Sequence, residues 1–256
     1  MRFLIAFLKK ELLEHVRQGK LLILGIIFVM LGIMNPATAK LTPWLLEMMS
    51  ESLAESGMNI TVTTVTAMDS WVQFFKNIPM GLIAFVLIEG TVFTKEYNKG
   101  TLVLSLTKGL QRNKVVVAKA FMLLSLWTVA YFACYFITYA YNAYYWDNSV
   151  AENLFLSAIC WWLFGIFTVS LTVLFSTLVN SGTAVLGLTG GVVMTFYLIS
   201  IIPKVGKYLP TQLMDGNSLI FATSKPQSYI AAIIITAILS IVCLTLSIPI
   251  FNKKQM

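Results

Sequence analysis

Six long apolar runs divide the chain, and short polar segments separate them. Each run can cross a bilayer as a helix, since about 20 apolar residues span its hydrocarbon core. The first run has the shortest uninterrupted apolar core, from Leu21 to Met34, and the others carry only isolated polar residues. The pattern predicts six membrane-spanning helices, at residues 20–38, 71–93, 115–140, 154–179, 183–203 and 229–251.

Residues 1–19 precede the first run and repeat with a helical period. Apolar side chains recur every four residues, and charged side chains fall on the opposite face. This pattern predicts an amphipathic helix in the membrane interface, with its cationic face toward anionic headgroups. We interpret His15 as a solvated residue of this helix. The apolar positions are Leu4, Leu8, Leu12 and Val16.

Basic residues concentrate in the segments that lie on one side of the predicted spans. Thirteen of the 18 Lys and Arg residues fall within residues 1–20, within 94–119 or after the sixth run. Cytoplasmic connections of membrane proteins carry such an excess. We therefore expect both termini and the connection 94–114 in the cytoplasm, and the segments 39–70 and 204–228 outside.

Composition excludes a soluble domain. Only 11% of residues are charged and 58% are hydrophobic, with a mean hydropathy of +0.81, whereas soluble domains carry roughly 25% charged residues. The net charge of +7 reports membrane orientation here, so we expect a lipid bilayer and no nucleic acid as partner. The chain is predicted to be one all-α membrane domain over residues 1–256.

The chain lacks the motifs of a self-contained enzyme. It has no G-x-x-x-x-G-K-[ST] loop for nucleotide phosphates and no His-Glu-x-x-His metal motif. Its single histidine leaves no Ser/His/Asp set. Three cysteines lie inside apolar runs without metal-site or disulfide spacing. We therefore expect no catalytic residue, no bound cofactor and no metal site. The cysteines are Cys134, Cys160 and Cys243.

A second helix is predicted outside the membrane, after the first span. Thr42 and Pro43 match an N-cap followed by proline at the first helical position, and Gly57 can end the helix. Residues 58–68 are rich in β-branched side chains and are predicted to be extended or irregular.

Two features inside the spans each have two interpretations. Glu89 lies near the predicted cytoplasmic end of the second span, so its charge costs less than the roughly 2.5–3.5 kcal/mol of a mid-bilayer charge. We interpret it as a partner of Lys95 or another nearby cation, and an ion relay is the alternative. Gly187 and Gly191 permit close helix approach in the fifth span, either within the chain or along a dimer seam or translocation wall.

The connection between the second and third runs is basic and contains two glycines. Gly100 is expected to break the helix leaving the second span, Thr101 to cap a short apolar helix over 102–106, and Gly109 to end it. An apolar helix in the cytoplasm is most simply explained by a protein partner that buries it.

The run KEYNKGTLVLSLTKGLQRNKVVVAK resembles the cytoplasmic signature of type-2 ABC (ABC-2) transporter permeases. In that signature a Glu, a Gly-Thr pair, an apolar stretch, an Arg and a Lys recur in this order. Six spans and the preceding amphipathic helix extend the resemblance over the whole chain. The family often has Pro shortly before the Arg, where this chain has residues 108–110. The matching residues are Glu96, Gly100, Thr101, Leu102, Leu104, Leu106, Arg112 and Lys119.

The resemblance implies a non-catalytic permease with the ABC-2 exporter fold in a bacterial-type plasma membrane. The connection would be a coupling helix that docks on a separate ATP-binding subunit carrying ATP and Mg²⁺, with Glu96 held by basic residues of neighbouring helices. Two permeases would pair, as a homodimer or with a related chain, and substrate would move outward along the second and fifth spans. Implied path residues are Phe74, Phe75, Asn77, Met80, Thr189, Met194 and Thr195.

Together these observations indicate an ATP-driven exporter permease. The outer half of the spans is aromatic and uncharged, which favours a hydrophobic or amphipathic substrate such as a peptide, antibiotic or lipid. An ATP-independent secondary transporter or channel is an alternative that would need charges or broken helices near mid-bilayer. A non-transport membrane scaffold is another. In the family, residues 204–228 would form a re-entrant or interfacial element at the exit.

Overall fold

The computed structural model describes residues 2–55, 64–100, 107 and 111–254. These residues form helices and short connections, and none of them is in a strand. The α-helices in these ranges are α1 Arg2–Arg17, α2 Lys20–Glu55, α3 Ala67–Glu89, α4 Val92–Lys99, α5 Arg112–Tyr145, α6 Leu154–Leu178, α7 Gly182–Ser200, α8 Pro203–Gly206, α9 Gly216–Ile220 and α10 Ile230–Lys253. Short 3-10 turns occupy Asn148–Val150, Pro210–Met214 and Pro226–Tyr229.

Six of these helices have the length and hydropathy to cross a membrane, which confirms the predicted all-α class and the number of spans. They are α2, α3, α5, α6, α7 and α10. α2 packs along α3 and α5, and α10 packs along α6. The predicted bounds agree with the observed ones to within a few residues, except at the C-terminal end of α2.

α2 continues well past its predicted end. It runs through Pro36 and Pro43 to residue 55, so the separate outer helix predicted to start at Thr42 is wrong. The Thr42 hydroxyl donates a hydrogen bond back to the carbonyl of Thr38 (2.8 Å) instead of capping a new helix. At 1.5 Å per residue, a 36-residue helix is about 54 Å long, so it projects well beyond a hydrocarbon core of about 30 Å.

The predicted irregular stretch before the second span is described only in part. Gly57 and residues 58–63 lie outside the described residues, and 64–66 are irregular as predicted. α3 then begins at Ala67, where the backbone N–H of Thr66 donates to the Asp69 carboxylate (2.8 Å). This contact occupies one donor at the helix start.

An aromatic core fills the space between α3 and α5. Trp71 and Phe74 of α3 contact Tyr135 of α5, with ring centroids 5.3 and 6.0 Å apart. Phe74 also meets Tyr131 edge to face, at 6.0 Å. Such pairs contribute roughly 0.5–1.5 kcal/mol beyond their area, so these rings stabilise the packing of the two helices.

Gly165 sets the close approach of α5 and α6. A Cβ atom at this position would collide with the indole ring of Trp127. Trp127 is fully buried, and its indole N–H donates to the carbonyl of Trp162 (3.1 Å). Because the indole is buried and hydrogen-bonded, it cannot easily move aside for a side chain at position 165.

The segment between α7 and α10 folds back onto the end of the bundle opposite α1. Trp161 donates its indole N–H to the carbonyl of Met214 (2.8 Å), and Ser157 donates its hydroxyl to that of Gly216 (2.9 Å). The Tyr229 hydroxyl donates to the Asp215 carbonyl (3.0 Å). The segment is therefore a packed element anchored on the N-terminal turns of α6.

We expect Gly165→Ala to lower the free energy of unfolding by about 1–3 kcal/mol, because the new methyl group overpacks against Trp127. SDS titration of the purified chain in mixed micelles measures this quantity. Gly25→Ala is the matched control, since a Cβ atom at Gly25 of α2 meets nothing within 4 Å. An equal effect of both substitutions would contradict the close approach of α5 and α6.

Candidate functional site

α1 lies against the end of the bundle where α2 and α5 begin and α3 ends. Phe7, Glu11 and His15 recur every four residues and point into the protein, where all three are buried. The opposite face, with Leu12 and Val16, is exposed. The predicted helix is confirmed, but the prediction of a solvated His15 is wrong, because His15 is only 3% exposed.

A first group of ion pairs joins α1, α4 and α5. Lys119 Nζ lies 2.9 Å from Glu11 Oε2 and 3.1 Å from Glu96 Oε2. Lys10 Nζ donates to Glu96 Oε1 at 2.8 Å. Lys119 is 1% exposed, so its charge is compensated almost entirely by these carboxylates. Glu96 thus contacts basic residues of neighbouring helices, as the family resemblance implied, and its role in coupling stays a prediction.

The charges of this group reinforce one another. Burial raises the pKa of Glu96, but the charge of Lys119 and the hydrogen bond from Lys10 outweigh burial and hold that pKa below its ordinary value of 4.5. Burial lowers the pKa of Lys10, yet its contacts with Glu96 and Glu11 give a net rise above 10.5. Both groups are therefore charged at neutral pH.

The three carboxylates of this group lie within 4.8 Å of one another, a spacing compatible with a metal ion. They belong to Glu11, Glu14 and Glu96. Lys119 and Lys10 already contact them, so the cationic role of a metal is filled by ammonium groups. The arrangement is an ion-pair network.

A second group surrounds Glu89, which is 2% exposed. Its Oε2 lies 2.8 Å from His15 Nε2 and 3.2 Å from Lys20 Nζ. The interpretation of Glu89 as a partner of a nearby cation is confirmed. Lys20, at the start of α2, provides the cation, and the side chain of Lys95 lies outside the described residues. The contacts fix the end of α3 against the junction of α1 and α2.

The connection after α4 is described only at its ends. Gly100 adopts a left-handed conformation (φ 66°), and its N–H bonds to the carbonyl of Tyr97 (3.2 Å). This confirms that Gly100 ends a helix, since a left-handed residue favours glycine. The predicted apolar helix lies outside the described residues, with Thr101, Leu102, Leu104, Leu106 and Gly109.

Arg112 holds the C-terminal end of the last helix. Its Nη1 donates to the carbonyls of Asn252 (2.9 Å) and Lys254 (2.8 Å). Lys254 in turn donates to the carbonyls of Thr177 (3.0 Å) and Val179 (3.1 Å) at the end of α6. The last carbonyls of a helix have no partner within it, so both cations satisfy them. The ends of α6 and α10 are thereby tied to the start of α5.

The predicted path residues of α3 divide between core and surface. Phe74 and Phe75 are buried within the chain itself, whereas Met80 is exposed. Asn77 donates to Asn35 Oδ1 (2.9 Å), and Asn35 donates to the Thr138 hydroxyl (3.1 Å), which links α3 through α2 to α5. The structure thus places Phe74 and Phe75 in packing positions, and the path assignment stays a prediction.

The predicted path residues of α7 lie on the least buried of the six spans. Met194 and Thr195 are exposed, and Thr189 is buried. Around Thr189 an apolar cavity of about 190 Å³ separates α7 from α3 and α6. Its lining residues are Leu82, Ile83, Val86, Leu87, Phe164, Thr168, Leu186, Thr189, Gly190 and Val193.

Sequence reasoning missed His15, Lys20 and Lys254 as partners in these contacts. Arg112, one of the residues that match the family signature, contacts residues near the C-terminus of its own chain, and its role in coupling stays a prediction. A usable signal existed for His15, because Phe7, Glu11 and His15 share the four-residue spacing of one helix face. That spacing forms a second stripe on α1, beside the apolar stripe of Leu4, Leu8, Leu12 and Val16.

The fold and its comparisons define the class of protein: the chain belongs to the ABC-2 family of transporter proteins, whose family model matches residues 5–256. It is a multi-pass membrane protein. The chain is similar to an uncharacterized transmembrane protein, YxlG, of Bacillus subtilis (strain 168), with 26% identity over 220 residues that cover 83% of each chain. No solved structure matches the chain.

We expect Lys119→Met to lower the free energy of unfolding by about 3 kcal/mol, because it leaves the buried carboxylates of Glu11 and Glu96 with only the exposed Lys10 as a cation. SDS titration measures the change. Lys114→Met is the matched control. Lys114 lies near the start of the same helix, is half-buried and makes no ion pair in the described part of the chain. Equal effects of both substitutions would show that the buried network does not hold the helices.

Acid is expected to release the N-terminal half of α1. The pKa of Glu96 is lowered in the folded state, so its contribution is fully present above about pH 4.5 and is lost as pH falls through the lower folded pKa. Amide hydrogen exchange of residues 6–11, corrected for intrinsic rates, should accelerate in that window. Glu96→Gln should flatten this dependence, whereas Asp147→Asn at the far end should leave it unchanged.

Proposed function

We propose that this chain is the permease subunit of an ATP-driven exporter and that a separate ATP-binding subunit supplies its energy. Family membership supports the permease role, and the sequence contains no phosphate-binding loop of its own. The observation that carries the proposal is the buried network of Glu96, Lys119, Glu11 and Lys10. It braces both ends of the connection 94–114 against α1.

This bracing allows the connection to transmit a movement to the helices that it contacts. Glu96 lies on α4, which leads into the connection. Lys119 lies on α5, which follows the connection. Because both residues form ion pairs with α1, a displacement of the connection reaches α1, α4 and α5 together. An ATP-binding subunit that prefers one permease conformation would then shift the permease between inward- and outward-facing states.

The ends of the chain support one orientation. α1, the described ends of the connection and Lys254 near the C-terminus lie at the same end of the bundle, as the contacts of Lys119 and Arg112 indicate. This end carries most of the basic residues, which supports a cytoplasmic location under the positive-inside rule. The segments 39–70 and 204–228 then lie on the outer side of a bacterial-type plasma membrane.

The exposed face of α7 supports pairing with a second permease. Gly187, Gly190 and Gly191 have open space where a Cβ atom would be, so another helix can approach closely. The partner is a second copy or a related chain. The apolar lining of the cavity between α3, α6 and α7 favours a hydrophobic or amphipathic substrate, such as a peptide, antibiotic or lipid.

Glu89 gives little support to the ATP-independent alternatives. A secondary transporter or channel would use ionisable groups near mid-bilayer, whereas Glu89 lies at the α1 end and contacts Lys20 and His15. A scaffold without transport activity makes no use of the braced connection.

Transport by the reconstituted complex tests the proposal. The chain and its ATP-binding subunit are placed in inside-out vesicles and supplied with labelled amphipathic peptides and lipids. Uptake that requires ATP hydrolysis is expected. Uptake by the chain alone, driven by an ion gradient, would instead establish the secondary transporter.

Leu104→Ser is expected to weaken attachment of the ATP-binding subunit roughly tenfold or more, because a buried leucine contributes about 1.5–3 kcal/mol. Affinity for the purified ATP-binding subunit and ATP-dependent transport are both measured. Leu41→Ser is the matched control, because Leu41 is exposed and lies in the part of α2 that is farther from α1.

Charge reversal, Glu96→Lys, is expected to uncouple ATP hydrolysis from transport. Unchanged coupling in both variants would refute the role of the connection.

A further inference from the structure

Both ring nitrogens of His15 face hydrogen-bond acceptors. Nδ1 lies 2.9 Å from the backbone carbonyl oxygen of Glu11, which can only accept. Nε2 lies 2.8 Å from Oε2 of Glu89, a carboxylate that also accepts when ionised. A neutral imidazole has one N–H and one lone pair, so it satisfies one of these contacts and opposes the other.

The surrounding charges favour the same additional proton. The described groups that face this site are three ammonium groups and four carboxylates, contributed by α1, α2, α3, α4 and α5. A neutral His15 leaves the group with one excess negative charge, and an imidazolium balances it. The groups are Lys10, Lys20 and Lys119 with Glu11, Glu14, Glu89 and Glu96.

We propose that His15 and Glu89 form a proton-binding site whose proton fastens the C-terminal turns of α1 to the end of α3. The site takes up one proton from solvent when His15 docks as an imidazolium, and returns that proton when it opens. A cavity of about 20 Å³ beside His15 and Lys20 has room for about one water molecule, which gives the proton a route. The site concerns this chain alone and goes beyond the proposed transport role.

The direction of the pH effect follows from the geometry. With the proton bound, Nδ1 and Nε2 both donate, and Glu89 is compensated by His15 and Lys20. After the proton leaves, the ring keeps one N–H, so a lone pair faces either the Glu11 carbonyl oxygen or the Glu89 carboxylate, and one of the two hydrogen bonds is lost. The attachment of α1 at His15 therefore weakens as pH rises, opposite to the acid release at Glu96. Imidazole is the side chain that ordinarily changes charge between pH 5 and 8.

The proton is directly observable because His15 is the chain's only histidine. The full chain, purified without a histidine tag and labelled with ¹⁵N-histidine, gives one pair of ring-nitrogen signals in lipid nanodiscs. We expect both nitrogens to be protonated at pH 7. A neutral ring at that pH, with one protonated nitrogen, overturns the proposal without any variant.

Glu89→Gln tests whether Glu89 itself, rather than the surrounding negative charge, raises the proton affinity of His15. An amide can donate to a neutral Nε2, so this variant no longer requires the additional proton. We expect the proton affinity of His15 to fall at least tenfold, a shift of about one pH unit or more in its titration midpoint. Glu14→Gln is the matched control, since Glu14 pairs with Lys10, and it should shift the midpoint much less. Equal shifts in both variants would contradict a specific pair.

Hydrogen exchange tests whether the proton holds the helix. In the wild-type chain, exchange of residues 12–17, corrected for intrinsic rates, should accelerate several-fold as pH rises through the His15 titration. His15→Phe should abolish this pH dependence. A wild-type helix whose corrected exchange stays constant across the titration would refute the fastening role.

Discussion

The buried contacts of Lys119 with Glu11 and Glu96 are the constraint on which the α1 end of this structure depends. Removing a cation from water is costly unless carboxylates compensate it closely. Lys119 is compensated only when α1 and α4 both lie against α5. Replacing such a network by apolar groups can be neutral or stabilising, so its contribution here is to geometry: it determines which helices meet and in which register.

Once α1 is fixed at Glu11, further contacts follow from helix spacing. His15 lies one turn beyond Glu11 on the same face, and it reaches Glu89 at the end of α3. The aromatic core acts differently. Its rings contribute much of the apolar burial between α3 and α5, but dispersion and hydrophobic contacts tolerate small shifts. The directional restraints are the ion pairs at one end, and the hydrogen bonds from Trp161 and Ser157 at the other.

The spans could be predicted from sequence because bilayer thickness sets a minimum apolar length that six runs meet. The partners at the α1 end could not, because they lie far apart in the chain: His15 and Glu89 are 74 residues apart. The surface helix also reversed the usual pattern. Leu12 and Leu13 are exposed and suit a lipid environment, whereas Glu11 and His15 turn inward. Pro43 was misjudged since one lost hydrogen bond did not end a long helix.

The carboxylates of Glu96 and Glu89 attach α1 in different ways. Glu96 is held by the ammonium groups of Lys10 and Lys119, whereas Glu89 is held by Lys20 and by the imidazole of His15. The N-terminal half of α1 is therefore attached until acid protonates Glu96, and the last turn is attached only while His15 carries its proton. Gly19, with φ at +70°, follows that turn and joins α1 to α2. A change at His15 thus moves only the short segment between Glu11 and Lys20, and leaves the Glu96 network intact.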